Sequence, residues 1–137
     1  MNKKSNVSHE DLVVNLKSLI KSINDYKGKW SEDRSTEVGN VIHYNPWNAP
    51  IIMLAMDFLY DNDLIIKFDW VEWDEGREFF INDDPNKYDS IDREWVLKLL
   101  TALVRNERFC DGAWARSFES GDAQKLFARL LEIEESK

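Results

Sequence analysis

Apolar residues at Leu12, Leu16, Leu19, Ile20 and Ile23 recur at intervals of three and four, which gathers them on one face of a helix spanning residues 8–26. Ser8 stands where an N-cap hydroxyl is needed, Asp11 suits the first turn, and Gly28 supplies a stop. Periodicity then lapses. Residues 31–47 hold Glu32, Asp33, Arg34, Gly39, Asn40 and Pro46 and read as a loop, with Val38 and Val41 flanking Gly39-Asn40 in a short hairpin. Asn48 as N-cap and Pro50 in the first turn, where amide protons have no helical acceptor, predict a second helix. Its stripe is Ile51, Leu54, Ala55, Phe58 and Leu59, and it ends near Asn62. Residues 64–66 fit either a short strand or a buried extended connector.

Asp69-Trp70-Val71-Glu72 matches a capping box and predicts a third helix over residues 70–81, with Trp70, Trp73 and Phe80 inward and Glu75, Arg77 and Glu78 outward. Gly76 counts against it. Asp83-Asp84-Pro85 marks a turn. A fourth helix starts near Ser90 or Asp92 and carries Trp95, Val96, Leu99, Leu100, Leu103 and Val104. Asp111 is placed to cap a short fifth helix holding Trp114, Ala115 and Phe118, with Gly121 as its left-handed stop. Asp122 then caps a sixth, with Leu126, Phe127, Leu130, Leu131 and Ile133 as the buried stripe. The expected architecture is all-α: one compact domain over residues 1–137, of five or six short helices, with one small β-hairpin near residues 36–44.

Composition agrees with one folded domain: 137 residues, 43% hydrophobic and 32% charged, argue against both disorder and a second core. The longest uncharged apolar stretch, residues 51–56, is too short to cross a bilayer, so no membrane association is expected. A polar start with no apolar block after Lys3 and Lys4 reads as lacking a secretory signal, and the expected location is cytoplasmic. The net charge of −8 is uneven: residues 1–30 carry +3, residues 31–90 carry −10 and residues 91–137 carry −1. An acidic middle repels phosphates and disfavours direct nucleic-acid binding.

The single cysteine, Cys110, excludes an internal disulfide and a Cys-based zinc cluster. Neither His9 nor His43 has a second His or Cys within five residues, so no metal or cofactor is expected. Walker-type and Gly-x-Ser-x-Gly motifs are missing, and no catalytic residue is assigned. Six tryptophans exceed what a small core needs, and Trp47, in a loop beside His43 and Tyr44, is the best candidate for an exposed aromatic. The densest charged cluster is Arg105, Glu107, Arg108 and Asp111, followed by Arg116 and Glu119. Its two readings are a latch between helices, in which acids pair with the arginines, and a guanidinium pocket for a carboxylate or phosphate.

At this cluster the chain resembles a bacterial family, the domain of unknown function 6508 family. The resemblance lies in Arg105, Glu107, Arg108, Phe109, Asp111 and Gly112, then Phe118, Glu119 and Gly121, then Leu126, Leu130 and Leu131, and in Phe68-Asp69-Trp70. It covers roughly residues 42–131 and leaves the first helix unsupported. It implies a small soluble bacterial or phage-borne domain and brings no activity with it.

The leading functional expectation is a non-enzymatic module that binds another protein through Trp47, His43 and Tyr44. A small-molecule binder or enzyme that holds an anion with Arg105 and Arg108, assisted by Glu107, Asp111 and Glu119, is the alternative from another class. A third expectation is a nucleic-acid mimic, a phage or mobile-element inhibitor, built on residues 61–89, which contain 10 of the acids.

Overall fold

The structure is a computed structural model that describes residues 8–43, 45–108 and 112–137. In chain order these form α1 (His9–Asp25), β1 (Ser31–Asp33), β2 (Thr36–Val38), β3 (Val41–His43), β4 (Pro46–Asn48), α2 (Pro50–Asp61) and α3 (Asp74–Ile81). A 3₁₀ turn (Lys87–Ser90), α4 (Arg93–Asn106), α5 (Ala113–Glu119) and α6 (Asp122–Glu135) complete it. The expected helical domain with a small hairpin is what is found.

Local signals account for several helix ends. The Ser8 hydroxyl accepts the Asp11 amide proton at 3.1 Å and the Asp92 carboxylate accepts that of Trp95 at 2.9 Å, each satisfying a first-turn amide that has no helical acceptor. Gly112 and Gly121 take left-handed φ values of 91° and 90°, turning the chain sharply on either side of α5. α6 lies at the centre, against α1, α4, α5 and the 3₁₀ turn. Its Leu126, Phe127 and Leu130 meet Leu16, Leu99, Leu100, Trp114 and Phe118 in one core. Trp114 is 1% exposed, and its indole N–H donates to the Ile52 carbonyl at 2.7 Å, so its one polar atom is satisfied inside the core.

Four boundaries differ from expectation. α2 is capped at Ala49 without a side-chain bond, because Asn48 pairs with Ser31 across β1 and β4. Its buried face is Ile52, Ala55 and Leu59, while Leu54 is 59% exposed. The helix is apolar nearly all round, so spacing alone did not select the face that meets α5. α3 begins at Asp74 rather than Trp70, and no capping box forms there. Residues 70–73 turn instead, which brings the Trp73 ring against Phe68 and Trp95, at 5.4 and 5.1 Å between centroids. Burial of that ring outweighs one cap bond, worth about 1 kcal/mol. α6 is capped at Gly121, and the Asp122 carboxylate instead accepts from the Tyr88 and Ser120 hydroxyls. Finally, α1 stops at Tyr26 in an extended conformation, so Gly28 is not its stop.

The hairpin is longer than expected. β2 and β3 pair around Gly39-Asn40, with Thr36 opposite His43, and β1 and β4 extend the same arm from Ser31 opposite Asn48. The Arg34 amide donates to the Asn45 carbonyl at 2.9 Å between the two pairs. Only the first turn residue, Gly39, has positive φ, 65°, the pattern of a II′ turn, which places glycine there. Residues 64–66 are an extended connector, fixed where the Ile66 amide donates to the Thr101 hydroxyl of α4 at 3.1 Å.

Candidate anion-binding cleft

Arg105 lies in the last turn of α4 and Arg108 in the turn just past its end, and the connector from α2 brings Ile66, Lys67, Phe68 and Trp70 beside them. Together these six residues line an open cleft of about 290 Å³. The Arg105 guanidinium lies 6.0 Å from the Tyr60 ring centroid, at the edge of cation–π range. None of Lys67, Arg105 and Arg108 has a carboxylate partner among the described residues. Most other cations are engaged: Arg93 with Glu134, Arg77 with Asp74, Arg34 with Glu32 and Lys17 with Glu135.

The acids of the predicted cluster lie elsewhere. The Glu107 carboxylate accepts from the Gly112 amide at 3.1 Å and the Trp114 amide at 2.8 Å, and so serves the α5 N-terminus. Asp111, expected to cap that helix, lies outside the described residues, as do Phe109 and Cys110. Glu119 lines a second cleft of about 410 Å³ together with Trp47, Glu32, Asp33, Glu107 and Arg116. The structure therefore separates Arg105 and Arg108 from Glu107 and Glu119.

In that second cleft Trp47 is half-buried, with the Arg34 guanidinium 4.4 Å above its ring. His43 is exposed on β3, and Tyr44 lies outside the described residues. The Arg34 guanidinium beside Glu32 holds that carboxyl below the usual carboxylate range, and hydrogen bonds from Ser35 do the same for Asp33. The cleft stays acidic. Among the described residues, no three of His, Cys, Asp and Glu gather to hold a metal ion, and no helix is long and apolar enough to cross a membrane.

Lys67 is the cleft residue that sequence reasoning missed. It sits in an extended connector where no helical or strand period applies. The available signal was that it is the one cation between Arg34 and Arg77, inside the acidic stretch.

These features define a small helical domain with a cation-lined cleft on one side and an acid-lined one beside its hairpin. The chain belongs to a family of unknown function (DUF6508), whose profile matches residues 6–136. The match takes in α1 and nearly the whole chain, well beyond the 42–131 stretch that carries the motif residues. No curated protein and no solved structure matches the chain.

Proposed function

We propose that the domain is a binding module that seats an anionic group between Arg105 and Arg108, with Lys67 in the same cleft. One observation carries this reading: three cations of a chain with net charge −8 line one cleft, none with a described carboxylate partner. Grouped like charges repel one another, and a bound carboxylate or phosphate relieves that repulsion through charge-assisted, bidentate hydrogen bonds. Binding without chemistry fits the placement of the two histidines, His9 beside Glu134 and His43 on the hairpin.

The test uses pyrophosphate as the probe and thermal unfolding as the readout. It should raise the melting temperature of the wild-type chain and leave that of the R105Q/R108Q variant unchanged. Without the probe, the variant should melt within about 2 °C of wild type, since no described ion pair is lost. A fall of several degrees would instead identify the arginines as a latch and end this reading.

A second reading is a protein partner on the hairpin, favoured by its exposed apolar tip. Val38, Val41 and Ile42 are 66%, 58% and 53% exposed, next to a cleft whose Glu32 and Asp33 remain ionised. Charge complementarity then calls for a basic partner segment. A partner recovered from the native host should lose affinity for Trp47→Ala by tenfold or more, roughly 1.4 kcal/mol. Unchanged affinity would exclude Trp47 as its anchor.

A further inference from the structure

Beside the cationic cleft, α3 and α4 enclose a groove of about 430 Å³ lined by Trp70, Trp73, Gly76, Phe80, Ala102 and Leu103 among others. Trp70 lines both depressions, so the apolar groove and the cationic cleft meet at this residue. The groove's own cation is already engaged: the Arg77 guanidinium pairs with Asp74 at 2.6 Å and donates to the Val71 carbonyl. Charge for a ligand in the groove must therefore come from Arg105, Arg108 and Lys67 next door.

We infer that the two depressions are one bipartite site for a small amphipathic organic anion. Its aromatic body lies in the α3–α4 groove and its carboxylate or phosphate reaches Arg105 and Arg108. This rests on the anion reading above and adds the class of ligand. The dimensions suit a small molecule, since such sites typically run to roughly 300–1,000 Å³, apolar over most of their lining with a few convergent charged groups. Charge complementarity fixes the other end: guanidinium pairs select planar or tetrahedral oxyanions. Aromatic walls from Trp70, Trp73 and Phe80 select a flat apolar body, which stacks on them or meets them edge to face.

Isothermal titration of the full chain with 1-naphthyl phosphate, inorganic phosphate and neutral 1-naphthol separates the possibilities. Naphthyl phosphate should bind tighter than inorganic phosphate by on the order of tenfold or more, because burying the rings adds to the shared anion contact. It should also bind tighter than 1-naphthol. Ala102→Phe, which fills the groove from α4, should erase the advantage over inorganic phosphate while leaving phosphate binding itself in place. If that variant does not fold, the comparison of probes on the wild-type chain decides alone. Equal affinity for the two phosphates, both lost in R105Q/R108Q, would overturn the bipartite site and leave the anion reading standing. Binding of naphthyl phosphate that ignores R105Q/R108Q, or no binding by any probe, would overturn both.

Discussion

Gly76 shows how packing decides a residue that helix propensity argues against. Glycine in a helix interior costs about 1 kcal/mol relative to alanine, yet a Cβ here would stand 2.3 Å from Cε3 of Trp73. That ring is held between Phe68 and Trp95 and has little room to yield. Overpacking a filled site costs roughly 1–3 kcal/mol, so Gly76→Ala should lower stability in urea denaturation despite its better propensity. A more stable variant would show that Trp73 moves freely. Glu107 makes the complementary case. Glu107→Ala leaves the Gly112 and Trp114 amides without their acceptor and should cost about 1–2 kcal/mol by the same measurement. The Ser8 cap was legible in the sequence because acceptor and amide are three residues apart, and the same spacing at Asp92 settles a start that the sequence left between Ser90 and Asp92. Glu107 reaches five and seven residues forward across a corner, and no short-range rule describes that reach.

Among elements, the helices were legible wherever one face alone is apolar, as in α1, α4 and α6. In α2 both faces are apolar, and the positions of α1 and α5 choose between them. The Gly39-Asn40 turn was readable from its chemistry, whereas β1 and β4 were not. Three-residue strands containing Glu32, Asp33 and Pro46 carry no alternation, and backbone pairing across the arm defines them. The cleft was half legible: Arg105 and Arg108 stood out as a pair, but the connector that closes the cleft has no periodic signature. The inner pair, β2 and β3, is exposed throughout and stands on its turn. A Cβ at Gly39 would touch nothing within 4 Å, so Gly39→Val acts through the left-handed φ alone. Faster hydrogen exchange at Val38 and Val41 with little change in melting temperature is the expected outcome. A cooperative loss of the whole domain's stability would show that the arm is coupled to the helices.

For the molecule as a whole, the organising charge is Glu134, 1% exposed on α6 where a sequence pattern would place glutamate outward. Arg93 at the start of α4 reaches it at 2.8 Å, Lys137 at 3.3 Å and His9 at the start of α1 at 3.5 Å, which ties three helices at one end. Burial alone would raise the Glu134 carboxyl, but hydrogen bonds and charges from Arg93 and Lys137 outweigh it and hold the group below its ordinary 4.5. A carboxyl lowered in the folded state contributes stability that is present above its unfolded value and lost as pH falls through the folded one. Denaturation midpoints should therefore drop below about pH 4.5 in the wild type and drop less in Glu134→Gln. At neutral pH that variant should already be weaker by about 1 kcal/mol, because charge-assisted hydrogen bonds from Arg93 and Lys137 give way to neutral ones while both cations, 40% and 48% exposed, stay hydrated. An acid limb identical in both would remove Glu134 from the account. Evolution meets a constraint of its own at Trp73 and Gly76: where a relative in the family carries any side chain at the glycine position, the indole must give way to something smaller. Aligned sequences should keep both residues or exchange both, and a relative with tryptophan facing a bulky neighbour would break the rule.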